Sequence, residues 1–80
     1  MSDLETMIIS ALRYALPRRS YIMSVTEDYI RKFIKAGVTE SFLSIAQKDI
    51  EDHLSEMERM GGIDDSQHDW KPLLEFIKEQ

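Results

Sequence analysis

Four stretches of helical periodicity, the lack of any strand-like alternation and short polar connections between the stretches predict an all-α fold. The expected architecture is a compact bundle of four helices at about 3–16, 21–36, 40–60 and 70–79. Eighty residues make one domain spanning 1–80. At that size a chain buries only roughly 60 to 65% of the surface its unfolded form exposes, so stability is modest unless self-association adds to it.

The first helix has a clear start. Ser2-Asp3-Leu4-Glu5 has the form of a capping box, with the Ser2 hydroxyl and the Glu5 carboxylate each available to a backbone donor. Leu4, Met7, Ile8, Ala11, Leu12, Ala15 and Leu16 recur at helical spacing and predict one inward stripe. Pro17 ends the helix, because it lacks a donor for the next turn and pushes the preceding residue out of the helical region.

The second helix can start at Tyr21 behind Ser20, or at the second capping-box pattern, Ser24-Val25-Thr26-Glu27. Ile22, Val25, Tyr29, Ile30, Phe33 and Ile34 form its apolar stripe, with Gly37 as a left-handed stop. Arg31, Lys32 and Lys35 fall on the other side or in the last turn, where positive charge suits the helix dipole.

Thr39 caps the third helix, whose expected inner stripe is Leu43, Ala46, Ile50, His53, Leu54 and Met57, widened by Phe42 and Ile45. The opposite face carries Lys48, Asp49, Glu51, Asp52, Glu56, Glu58 and Arg59. Gly61-Gly62 ends the helix and a polar loop follows through His68. Asp69 caps a short fourth helix with Pro72 in its tolerated first turn and Trp70, Leu73, Leu74 and Ile77 inward.

Charge is divided unevenly. Residues 1–39 hold six bases and four acids, a net of +2, and residues 40–80 hold four bases and eleven acids, a net of −7, which together give −5. So acidic a chain lacks the electrostatic footprint of a nucleic-acid binder, which makes nucleic acid a disfavoured partner. Zero cysteines exclude disulfides and thiolate metal sites and fit a reducing compartment. Apolar runs never exceed three residues, far short of the ~20 that cross a membrane, and the acidic start is unlike a targeting segment. These features predict a cytoplasmic protein with no membrane partner.

One stretch is distinctive in its wording. Ala11-Leu12-Arg13-Tyr14-Ala15-Leu16-Pro17-Arg18-Arg19-Ser20-Tyr21-Ile22 resembles the signature Ala-Leu-Arg-Tyr-Ala-Leu-Gly-Arg-Arg-Thr-Tyr-Ile of small phage and prophage proteins of unassigned function. The chain departs from that signature at Pro17 and Ser20; serine keeps the capping hydroxyl, whereas proline fixes a turn that glycine leaves free. The likeness extends to Lys48-Asp49-Ile50, to the acidic loop leading into Asp69-Trp70, and to Leu73-Leu74. It implies a phage or mobile-element accessory protein in a bacterial host cell, with no reaction attached.

Two surfaces are candidates for binding. Arg13, Arg18 and Arg19 with Tyr14 and Tyr21 form a basic and aromatic junction suited to carboxylates or phosphates. The plainer reading is that these arginines pair with the chain's own acidic half or neutralise a helix end. Asp49, Glu51, Asp52 and Glu56, with Asp64 and Asp65 in the following loop, form an acidic face that could imitate the phosphates of a duplex. An ordinary solvated helix face looks the same.

Catalysis and metal binding find no pattern to rest on. Asp64, Asp65, His68 and Asp69 lack the glycine and glutamate positions of a calcium loop, and His53 and His68 lack paired zinc spacing. There is no cysteine nucleophile, no phosphate-binding glycine loop and no serine elbow, while Asp52 with Glu56 is a common exposed helix pair. The chain is therefore expected to be neither an enzyme nor the holder of a cofactor. The expectation is a protein that binds and inhibits or modulates a host protein or complex, such as a defence nuclease complex. A small helical nucleic-acid-binding regulator built on the Pro17–Ser20 turn and a structural homodimer are the alternatives.

Overall fold

A computed structural model describes residues 1–17, 21–60 and 65–80 of the chain, and only the backbone of residues 21–26 and 65–69. It is all-helical, with α1 at Asp3–Ala15, α2 at Tyr21–Ala36, α3 at Glu40–Arg59 and α4 at Asp65–Lys78. The helices pack as a ring in the order α1, α2, α4, α3, each against two neighbours. Its radius of gyration, 12.0 Å, is that of a closely packed chain of this length.

The start signals of α1 and α3 operate as expected. Ser2 Oγ accepts from the Glu5 N–H at 3.1 Å while Glu5 Oε1 accepts from the Ser2 N–H at 3.0 Å, completing the capping box. Thr39 Oγ1 accepts from the Phe42 N–H at 3.2 Å and caps α3. Gly37 lies at φ 109°, a conformation costly for any side chain, and lets the chain turn from α2 into α3 within three residues. α2 runs from Tyr21, so the pattern Ser24–Glu27 lies inside the helix and does not start it.

One stop and one start differ from expectation. Leu16, just before Pro17, keeps helical angles (φ −51°, ψ −47°) and donates to Leu12 O at 2.9 Å. Proline therefore ends α1 by lacking a donor, and the steric push on its predecessor is overridden. α4 begins at Asp65, several residues before Asp69, so Asp65–His68 are helical where a loop was expected and Pro72 stands inside the helix. A proline there removes one interior backbone bond, and the cost is met by the side chains around it: Trp70, Leu73, Leu74 and Ile77 are all buried, as their spacing predicts.

The core is one cluster to which all four helices contribute: Ile9, Leu12, Ala15 and Leu16; Ile30 and Ile34; Phe42, Ala46 and Ile50; Trp70, Leu73, Leu74 and Ile77. Phe33 of α2 meets Phe42 of α3 edge to face, with ring centroids 5.3 Å apart. On α3 the fully buried line is Phe42, Ala46 and Ile50, while Leu43, Ile45, His53, Leu54 and Met57 are half-buried at its sides.

α1 is turned relative to the expected stripe. Glu5, Ile9, Leu12, Ala15 and Leu16 face inward, whereas Leu4, Met7 and Ala11 are exposed and Ile8 is half-buried. The spacing 5, 9, 12, 16 is as helical as 4, 8, 11, 15, and packing selects the first because it also brings Glu5 to the start of α3. Tyr29, expected inward on α2, is likewise exposed. Arg31 is half-buried: Glu27 holds it at 2.8 Å, and its guanidinium lies 5.4 Å from the Phe76 ring centroid on α4.

Candidate functional site

The expected basic and aromatic junction is only partly brought together. Arg13 reaches across to α3 and pairs with Asp49, Nε to Oδ2 at 2.8 Å, so this arginine does serve the chain's own acidic half. Tyr14 is exposed beside it. Arg18, Arg19 and the Tyr21 side chain lie outside the described residues, as do Ser20, Ile22 and Val25 as side chains.

The acidic face is an outward row on α3, but much of it is internally engaged. Asp49 is held by Arg13, Asp52 lies 3.4 Å from Lys48 Nζ, and Glu56 lies 2.7 Å from Arg59. Asp49 is also half-buried rather than on the open face. Glu51 is half-buried in the same row; Asp64 and the Asp65 side chain are outside the described residues. Exposed pairs one helical turn apart are ordinary surface chemistry, worth a few tenths of a kcal/mol, about 0.3–0.5 each. With Asp49, Asp52 and Glu56 so paired, the row is a weaker duplex imitation than free carboxylates would be.

Among the described residues no group of three or more histidines, aspartates or glutamates is placed to hold a metal. No helix described is long and apolar enough to cross a membrane. Of the α2 bases, Arg31 is engaged by Glu27 and Phe76, leaving Lys32 and Lys35 as the exposed positive charges of that helix.

Two features were not foreseen. The first is structural: Glu5, almost fully buried, receives the N-terminus of α3 as well as its own. Glu5 Oε2 accepts from the Thr39 N–H at 2.8 Å, and Thr39 Oγ1 lies within 3.2 Å of both carboxylate oxygens while itself accepting from Phe42. The Glu5 carboxyl titrates below the ordinary glutamate value, first because of the Thr39 backbone N–H and then the Ser2 N–H; desolvation opposes the shift and is outweighed. Two positive helix ends thus converge on one buried charge.

The second is a surface. Leu4 and Tyr14 are 55% exposed, Met7 67% and Tyr29 65%, with Met1 at 51% continuing the row. Leu4, Met7, Ala11 and Tyr14 recur at intervals of three, four and three, a heptad seam along the outside of α1. Beside it, Ile8 and Ala11 of α1 and Tyr29 and Ile30 of α2 line an apolar groove of about 260 Å³. The available signal was that α1 is apolar over more than half its circumference, too much for one stripe.

No protein-family model matches the chain, and no curated protein or solved structure matches it.

Proposed function

We propose that this protein works by binding another protein, without catalysis, and that the α1–α2 face is the surface it uses. The observation that carries this reading is the outward seam Leu4, Met7, Ala11 and Tyr14 with Tyr29 and the groove beside it. Contiguous exposed apolar surface of this kind marks interaction sites, because it gains free energy only when something covers it. Large, pliable methionine and rigid tyrosine are also the side chains that dominate protein contacts. The acid row of α3 supports the reading less, since Asp49, Asp52 and Glu56 already have cations.

The likeness of Ala11–Ile22 to a phage and prophage signature supplies a setting. In it the protein is an accessory of a mobile element that inhibits or modulates a host protein, a defence nuclease complex being one such target. Co-purification from bacterial lysate with the wild-type chain and with Met7→Glu as baits tests the reading. A protein retained by the first and lost by the second supports it. Equal retention by both moves the binding surface elsewhere, and retention by neither across growth and infection conditions counts against protein binding.

A further inference from the structure

We infer that the occupant of the α1–α2 face is a second copy of this chain, joined by antiparallel packing of α1 against α1 about a two-fold axis. The inference rests on the reading of this face as a protein-binding surface and makes the second copy its occupant in the free protein, which a captured host protein would displace. Three observations carry it.

The first is shape. In an antiparallel pair that sets Leu4 opposite Tyr14 of the other copy, Met7 falls opposite Ala11. Met7 is the most exposed residue of the seam, and Ala11 is its smallest member, lining the 260 Å³ groove with Ile8, Tyr29 and Ile30. Each copy thus offers a projecting methionine and the hollow that receives it, which is the self-complementarity an isologous two-fold contact demands. A parallel pair would set Met7 against Met7 and leave both hollows empty.

The second is charge. α1 carries Asp3 in its first turn and Arg13 in its last, with Arg13 still 62% exposed after pairing with Asp49. Antiparallel packing brings the acidic, dipole-positive end of one helix beside the basic, dipole-negative end of the other, and parallel packing sets like against like.

The third is area. At roughly 200 Å² for a large side chain fully exposed, Met1, Leu4, Met7, Tyr14 and Tyr29 present on the order of 600 Å² per copy, so pairing that covers all of them removes at most about 1,200 Å², the lower bound of a specific stable interface. An 80-residue bundle with a small core gains most from such burial.

Sedimentation equilibrium over a concentration series tests this with the full chain. The wild type is expected to move from one to two times 9.4 kDa as concentration rises, and Met7→Glu and Ala11→Lys each to stay at the single-chain mass. An equimolar mixture of the two variants is expected to regain the double mass. In that antiparallel pair the carboxylate introduced on one copy faces the ammonium introduced on the other, and the second Met7–Ala11 contact stays native. Circular dichroism melts confirm that both variants fold. A wild type monomeric at high micromolar concentration, or a dimeric Met7→Glu, overturns the second copy as occupant. A dimeric wild type with monomeric variants whose mixture stays monomeric overturns the antiparallel pairing. If the wild type is monomeric and Met7→Glu still abolishes capture of a lysate protein, the inference fails while the functional reading stands; if capture is also unchanged, both fail.

Discussion

The outward faces of α1 and α3 are opposite in kind. On α3 the outward side chains are charged, and Asp49, Asp52 and Glu56 each have a cation within 4 Å. On α1 the exposed side chains include the apolar Leu4, Met7, Ala11 and Tyr14, while Ile9, Leu12 and Leu16 hold the core. A charged face is satisfied by water and neighbours; an apolar face is satisfied only by being covered. The charged face of α3 is thus the settled one, and the apolar seam of α1 has the stronger demand for a partner.

The largest effect expected from breaking this contrast lies inside α1. Leu12 is fully buried, so Leu12→Ala should cost about 2–5 kcal/mol of folding stability in urea titration. Met7→Ala, on the outer face of the same helix, should stay within about 0.5 kcal/mol of wild type when both are measured dilute. Comparable losses at the two positions would mean that α1 is turned the other way and that no apolar seam exists.

A smaller effect, distinguished by its pH dependence, comes from Glu5. Its native carboxyl titrates below its unfolded value, so the unfolded chain binds more protons through that range. The stabilisation is complete above the unfolded value and fades as pH falls through the lowered native one. Glu5→Gln should therefore melt lower than wild type at neutral pH, and the difference should shrink as the pH drops below that range. Melting temperatures of the two proteins recorded from neutral pH down through the carboxylate range check this; a constant gap would show that Glu5 contributes by shape and not by charge.

What could be read from the residues follows from how local each cause is. Caps and stops act within four residues, so Ser2, Thr39 and Gly37 were legible, and so was the inner face of α4, where Trp70, Leu73, Leu74 and Ile77 form one unambiguous stripe. α1 was not, because apolar residues at 4, 7, 8, 9, 11, 12, 15 and 16 support two helical stripes equally. The choice between them is made by Glu5 meeting Thr39, a contact between residues 34 apart that periodicity cannot report. The two binding candidates were found by charge, which is conspicuous in a sequence. The exposed seam is not legible in the residues, because an apolar residue reads as core until its neighbours are known.

The smallest effects test the charged half of the contrast. The Arg13–Asp49 pair joins α1 to α3 but keeps Arg13 largely in water, so a double-mutant cycle with Arg13→Ala and Asp49→Ala should give a coupling of about 0.2–1 kcal/mol that diminishes with added salt. The Lys48–Asp52 and Glu56–Arg59 pairs, more exposed and within one helix, should give less. Groups held so weakly are dispensable to the fold, which makes them separable from binding: the combined variant Asp49→Asn, Asp52→Asn, Glu56→Gln should still fold, melting at most about 15 °C below wild type, since the summed couplings are about 1–2 kcal/mol and each kcal/mol is worth about 4–8 °C for a chain of this size. If the α1–α2 face binds, that variant should also keep the association and the captured protein that Met7→Glu loses. The opposite pattern, capture lost on neutralising α3 and kept with Met7→Glu, would make the acid row the working surface and the seam of α1 a tolerated exposure.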